Sequence, residues 1–184
     1  MELRRYCRPD FALPGLRDLI SWLEHGTVMV EIGSFAGESA EEFLRHAKIS
    51  HLHAIDPWQG GYDANDPASG LTGQPAIEAE FDERMKAFPG RSTKYRMGSA
   101  EAVRLFRDRS LDFVYIDALH TYEGVKSDIA LWHSKIREGG FIGGHDYDSS
   151  FPGVIRAVDE AFGSPDQGFS EHSWIKRVFH SPNA

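Results

Sequence analysis

The feature that most constrains this chain is LDFVYID, residues 111–117, a run that is almost wholly apolar and rich in β-branched and aromatic residues. A strand without a polar face has to be covered on both sides. Four other short runs have strand character, Val28 to Ile32, Leu52 to Asp56, Thr93 to Met97 and Gly140 to Gly144, and segments of helical period lie between them. Leu16, Leu19, Ile20 and Leu23 make one apolar stripe, and Ile77, Phe81 and Met85 make another at i, i+4, i+8. Further helices are expected over Glu38 to Ala47, Ala100 to Arg107, Tyr122 to Arg137 and Val154 to Phe162, the last opened by Pro152 and closed by Gly163. Strands that alternate with helices predict an α/β fold, a doubly wound, mostly parallel sheet with helices on both faces. Gln167 to Glu171 and Trp174 to His180 are expected to close it as an antiparallel pair.

With 184 residues, a single domain over 1–184 is expected, residues 1–26 forming an N-terminal helical segment. Twenty Lys and Arg against 28 Asp and Glu give a net charge of −8, a field that repels polyphosphate and disfavours nucleic acid as a partner. Cys7 is the only cysteine, so neither an intrachain disulfide nor a multi-cysteine metal cage can form. The charged start MELRRYCRPD and the lack of a long apolar run predict a cytoplasmic chain without a membrane partner. A homodimer is compatible with these features. The stretch Pro57 to Gly73, PWQGGYDANDPASGLTG, suits neither helix nor strand and is a candidate lid over whatever binds at the strand ends.

Val28 to Ser39 runs from a strand through a Gly-containing turn into a helix, the place where open α/β sheets bind ligands. A dinucleotide turn needs a second small residue two positions after the first Gly. Here Phe35 stands there, and a pyrophosphate does not fit. Asp56 ends the second strand 23 residues after Gly33, close to the spacing of a carboxylate that accepts both hydroxyls of a ribose. A nucleoside therefore fits. Glu31 adds a carboxylate that can pair with a ligand amine or cation. The competing reading is structural, with Gly33 and Gly37 permitting tight strand-to-helix packing and Asp56 starting a turn.

The ordered set EIGSFAGES, AIDPW, RMGSAEAV, LDFVYIDALHTYEGVKSDIALW and GGFIGGHDY resembles the class I S-adenosylmethionine-dependent methyltransferases, in particular the small branch with sugar and antibiotic O-methyltransferases. The resemblance spans residues 27 to 162. It implies a seven-stranded Rossmann-like sheet whose last strand is antiparallel. It also implies S-adenosylmethionine as cofactor, with Glu31, Gly33, Ser34 and Gly37 around its methionine part, Asp56 on the ribose, and Trp58, Ser99 and Ala100 near the adenine. Glu101 would assist there. The third Gly of the general motif is replaced by Phe35.

Asp117 ends the fourth strand, with His120 three residues on, while the fifth strand runs through Gly143 and Gly144 into His145 and Asp146. Parallel neighbours bring these ends together, so three oxygen or nitrogen ligands can converge on a divalent cation. The resemblance to metal-dependent O-methyltransferases carries that cation onto Asp117, His145 and Asp146. Carboxylates alone favour Mg²⁺, whereas an imidazole raises affinity for Mn²⁺ or another first-row metal. Asp117 and His120 are the candidate catalytic residues, His120 as an imidazole base with an ordinary pKa of about 6.5. In the competing reading Asp117 pairs with the cofactor amine, His120 caps the helix near Tyr122 and His145 packs on the Gly-rich strand. Tyr122 and Asp128 are expected to anchor helix to sheet, and Trp132 to lie in the core. The expected reaction is methyl transfer to a hydroxyl of a small molecule. The rivals are an iron-dependent oxygenase, a nicotinamide oxidoreductase, and a nucleoside-binding module without turnover.

Overall fold

The computed structural model describes residues 13–60 and 74–180. In chain order its elements are α1 (Pro14–Ser21), β1 (Thr27–Ile32), α2 (Glu38–Arg45), β2 (Ile49–Ile55), α3 (Gln74–Met85), β3 (Ser92–Tyr95), α4 (Ser99–Ala102), β4 (Leu111–Ile116), α5 (Tyr122–Trp132), β5 (Ile136–Gly144), α6 (Pro152–Phe162), β6 (Gln167–Gly168) and β7 (Trp174–Arg177). Seven strands form one sheet in the order β3-β2-β1-β4-β5-β7-β6. β1 to β5 run parallel, β7 is antiparallel to β5, and β6 is antiparallel to β7. The strand order reverses at β1, with β2 on one side and β4 on the other. At such a point the carboxyl ends diverge and leave a crevice.

Successive strand residues face opposite sides of the sheet. Met29, Phe113, Tyr115 and Phe141 pack on one face with Leu16, Leu19 and Ile20 of α1, Phe43 and Leu44 of α2, and Phe81 of α3. Val30, Ile32, Val114, Ile116 and Ile142 pack on the other with Val125, Ile129 and Trp132 of α5 and Val154, Ala157 and Val158 of α6. LDFVYID lacks a polar face because β4 feeds both cores. Each fully buried side chain of this size contributes about 1.5–3 kcal/mol.

Several element bounds differ from expectation. The helix predicted over Tyr122 to Arg137 stops at Trp132, a short 3₁₀ turn covers His133–Lys135, and β5 begins at Ile136. Ile136 continues the apolar spacing of α5, yet it pairs with Leu111 of β4 and is fully buried there. The helix predicted over Ala100 to Arg107 is only the short α4 followed by a 3₁₀ turn at Val103–Leu105. β2 starts three residues before its predicted start, because Ile49 pairs with Thr27 while Ser50 and His51 keep polar groups on the strand. The closing antiparallel pair is present but its first strand has only two residues. Of the candidate lid, Pro57 to Gly60 are described, and residues 61–73 lie outside the described residues, as do Cys7 and the first twelve positions. Among the described residues no helix is long and apolar enough to cross a membrane.

Candidate active site

The crevice is a cleft of about 860 Å³ at the carboxyl ends of β1, β2 and β4, toward the upper end of the size range of small-molecule sites. Its first wall is the β1–α2 turn. Gly33 donates its N–H to the carbonyl of Ile55 at 2.8 Å, and Asp117 donates to Ile32 at 2.8 Å, so the three central strand ends are tied just below the cleft. Gly33 has φ 88°, and a Cβ placed on it would lie 1.9 Å from the Asp117 carbonyl oxygen. No other residue fits. Gly37 also has φ 86°, but its missing side chain faces Phe81 of α3 at 3.0 Å. It serves the packing of α2 on α3 and does not line the cleft.

Asp56 stands at the cleft edge with both carboxylate oxygens engaged. Oδ2 accepts the Phe35 N–H at 2.9 Å and Oδ1 accepts the Trp58 N–H at 2.6 Å. Phe35 and Trp58 both have positive φ, 43° and 48°, and the Asp56 carboxylate supplies the acceptors that hold this unusual backbone. Burial raises the Asp56 pKa from its ordinary value, and the backbone N–H groups oppose the rise. Trp58, expected beside the adenine, is 2% exposed and lies in the core. Its ring packs on Phe81 with centroids 5.1 Å apart, and its indole N–H donates to the Phe35 carbonyl at 2.8 Å.

Glu31 is fully buried beneath the first turn, and its Oε1 accepts the Ser39 hydroxyl at 2.5 Å. Burial pushes its pKa up to about 7. Ser34 and Ser39 line the cleft, whereas Glu31 does not. On the far side Ser99 and Ala100 line it at the start of α4, and Glu101 is exposed and outside it. Ser99 donates to Asp128 and accepts the indole N–H of Trp132 at 2.8 Å. Asp128 thus joins α5 to α4 rather than helix to sheet, while Trp132 lies in the core as expected. Tyr122 instead donates to Glu160 on α6, away from the cleft.

The second constellation closes around His120. Its Nε2 is 2.8 Å from Asp146 Oδ2 and 3.6 Å from Asp117 Oδ1. One ligand atom from each of Asp117, His120 and Asp146 lies within 4.8 Å of the others. His145 sits alongside, its Nδ1 3.1 Å from Asp146 Oδ1 and 3.9 Å from Asp117 Oδ1. The chain turns through a left-handed residue at Asp146, φ 57°, which carries that carboxylate onto His120. His120 therefore occupies the third position of the trio in place of the His145 expected from sequence. Asp117, His120 and His145 line the cleft, and Asp146 meets it only through the two imidazoles.

The electrostatics change the reading of His120 as a base. Burial opposes its charge, but hydrogen bonding to Asp117 and Asp146 outweighs this and raises its pKa to about 10. His145 is raised to about 9 against its burial, by the same two carboxylates. Burial alone would raise Asp146, yet the two imidazoles hold it well below the carboxylate range. Without a cation in the cluster the two imidazoles thus favour their charged forms beside Asp117 and Asp146, and an ion held there would displace the His120 proton. Because the folded protein raises the pKa of His120 above the unfolded value near 6.5, the stabilisation is complete below that value and is lost as pH rises through about 10. Metal-stripped protein is expected to lose several degrees of melting temperature between pH 7 and 10 beyond what His120→Gln loses over the same interval. Identical slopes for the two proteins would refute the pairing.

Sequence reasoning missed the wall opposite the Gly33 turn. Leu13 and Leu16 from the start of α1 face Glu171, His172 and Ser173 from the 3₁₀ turn after β6. Glu171 Oε2 accepts the Gly15 N–H at the α1 N-terminus at 2.7 Å, and Ser173 pairs with the buried Tyr115 hydroxyl of β4 at 3.0 Å. The only sequence signal was Pro14-Gly15, a helix start whose N–H groups need an acceptor.

A parallel sheet reversing at β1, a glycine turn that admits no side chain, and an acid at the end of β2 make a cleft of the kind in which Rossmann-like sheets hold nucleosides. A family model described as a methyltransferase domain matches residues 30–147, and the chain belongs to that family. Among solved structures, the O-methyltransferase NovP superposes with a TM-score of 0.64 at 17% identity, over 91% of this chain and 77% of that one. A SAM-dependent O-methyltransferase from Thermotoga maritima gives 0.64 at 9% identity, over 96% and 69%. The Burkholderia thailandensis 1,6-didemethyltoxoflavin-N1-methyltransferase, solved with its substrate and S-adenosylhomocysteine, gives 0.61 at 13% identity, over 91% and 78%. At these identities the likeness is one of fold. A search among curated proteins finds no match. The family match supports methyl transfer over the oxygenase, oxidoreductase and binding-module readings.

Proposed function

We propose that this chain transfers the methyl group of S-adenosylmethionine to a hydroxyl of a small molecule. The observation that carries this reading is the cleft itself, whose Gly33 turn, Asp56, Ser99 and Asp117 all fall within the residues matched by the family model. Gly33 and Ser34 would face the methionine part and Asp117 its amine, while Asp56 would accept the ribose hydroxyls on lone pairs left beside its two backbone bonds. Oxygen as the acceptor atom is supported by NovP and the Thermotoga protein, both O-methyltransferases. The acceptor would lie against Leu13, Leu16, Tyr115 and Ser173, an apolar wall with two hydroxyls.

The carbon of a sulfonium is already activated, so the protein has to hold the attacking oxygen in line and accept its proton. Asp117, His120 and Asp146 fit a divalent cation in donor type and spacing. Such an ion would lower the pKa of a bound hydroxyl. Asp117 and His145 line the cleft at this point and would orient the acceptor whether or not an ion is held.

Transfer of an isotopically labelled methyl from S-adenosylmethionine across a panel of hydroxylated acceptors, read by mass spectrometry, tests the reading. A protein that neither binds S-adenosylhomocysteine nor labels any acceptor would refute it. Asp56→Ala is expected to weaken S-adenosylhomocysteine by about 1–3 kcal/mol in calorimetric titration. An unchanged affinity in a folded variant would leave Asp56 as a clamp on Phe35 and Trp58 alone.

A further inference from the structure

β2 carries two imidazoles side by side on a part of the sheet that the cleft does not use. His51 and His53 are two residues apart on one strand and so share a face. Their ring centroids lie 4.7 Å apart. Each ring has one nitrogen taken by a hydroxyl of the edge strand β3. His51 Nε2 is 2.9 Å from Thr93 Oγ1, and His53 Nδ1 is 3.3 Å from the Tyr95 hydroxyl. The second nitrogen of each ring, His51 Nδ1 and His53 Nε2, has no hydrogen-bond partner among the described residues. Neither histidine lines the cleft.

A metal-bound imidazole gives one nitrogen to the ion and the other to a partner that fixes the ring and its tautomer. Thr93 and Tyr95 stand in the partner's place here. Burial and the neighbouring His51 hold the His53 pKa down to about 4, so at neutral pH this ring keeps the lone pair that an ion needs. Phe106 and Tyr95 pack against the His53 ring, with centroids at 5.1 and 5.8 Å, and hold it still. Both histidines are partly exposed, which leaves an ion a way in. Among the described residues no carboxylate forms an ion pair with either ring. Imidazole nitrogens without carboxylates favour Ni²⁺, Cu²⁺ or Zn²⁺ over Mg²⁺ or Ca²⁺. We infer that His51 and His53 form a metal site of their own, for an imidazole-preferring first-row divalent cation, apart from the cluster at Asp117, His120 and Asp146. Water fills the remaining positions on the ion. The inference does not depend on the methyl-donor reading above.

The test titrates metal-stripped, untagged protein carrying ¹⁵N-labelled histidine with Ni²⁺ at pH 7.5, following the signals of its nine histidine rings. The His51 and His53 signals should broaden together, and at the same Ni²⁺ concentration in wild type and in Asp146→Asn, which removes a ligand from the other cluster. His51→Gln should raise the concentration that broadens His53 by about tenfold or more. Thr93→Val should raise it by about tenfold, the usual cost of removing the partner of a ligating imidazole. His53→Gln, read on the His51 signal, replaces His51→Gln if that variant does not fold. A His53 signal that Ni²⁺ leaves sharp, or that responds equally in the folded His51→Gln variant, overturns the site. A response lost in Asp146→Asn assigns the ion to the cleft cluster and overturns it as well.

Discussion

Replacing Gly33 by alanine is expected to abolish S-adenosylhomocysteine binding and to lower the melting temperature steeply. The new Cβ would lie 1.9 Å from the Asp117 carbonyl oxygen and 2.6 Å from its carbon, both backbone atoms of a central strand end. Neither can move without breaking the bonds that tie β1 to β2 and β4. The left-handed φ of 88° adds about 1–2 kcal/mol on its own, and the clash brings the expected loss to at least about 3 kcal/mol. Gly90 supplies the comparison, since it has φ 75° and nothing within 4 Å of its would-be Cβ. Gly90→Ala should therefore show the conformational cost alone, about 1 kcal/mol. Thermal denaturation of the two variants separates the terms, and equal losses would mean that the Gly33 turn can relax.

Asp146→Asn is expected to lower turnover by about 10²-fold or more while leaving the affinity for S-adenosylhomocysteine within about twofold. The asymmetry follows from position, because Asp146 does not line the cleft and meets it only through His120 and His145. Exhaustive chelation separates the two ways in which this residue can act. Loss of turnover on chelation, restored by a divalent ion in wild type and not in the variant, supports the metal. Turnover that survives chelation in wild type and still falls in the variant makes Asp146 a counter-charge that orients His120. A variant with wild-type turnover would remove the whole constellation from the reaction.

The fold was legible because its strongest signals are periodic. LDFVYID has no polar face and sits where two cores meet, and the stripe Leu16, Leu19, Ile20 belongs to one of them. The misplaced end of α5 has a clear cause. Ile136 keeps the spacing of Ile129 and Trp132, so periodicity carries the helix on, and only its pairing with Leu111 makes it strand. At the site, Gly33, Ser34, Asp56 and Ser99 were legible because strand ends at a switch point have few places to go. Trp58 was not, since a turn started by Asp56 was foreseen without any sign that it carries the indole inward onto Phe81. The relation between His120 and His145 was equally hidden. It depends on one left-handed residue at Asp146, and asparagine and aspartate enter that conformation without leaving a pattern in the sequence.

The bond between Glu171 and Gly15 joins positions 156 residues apart. Because ribosomes emit a chain in order, α1 waits beside an unfinished sheet until nearly everything else has been made. The wall that Leu13 and Leu16 form with Ser173 cannot exist in any nascent chain that lacks β7, even after the Gly33 turn and Asp56 have emerged. A chain cut before Glu171 would thus lack one wall of the cleft and the acceptor that holds the α1 N-terminus.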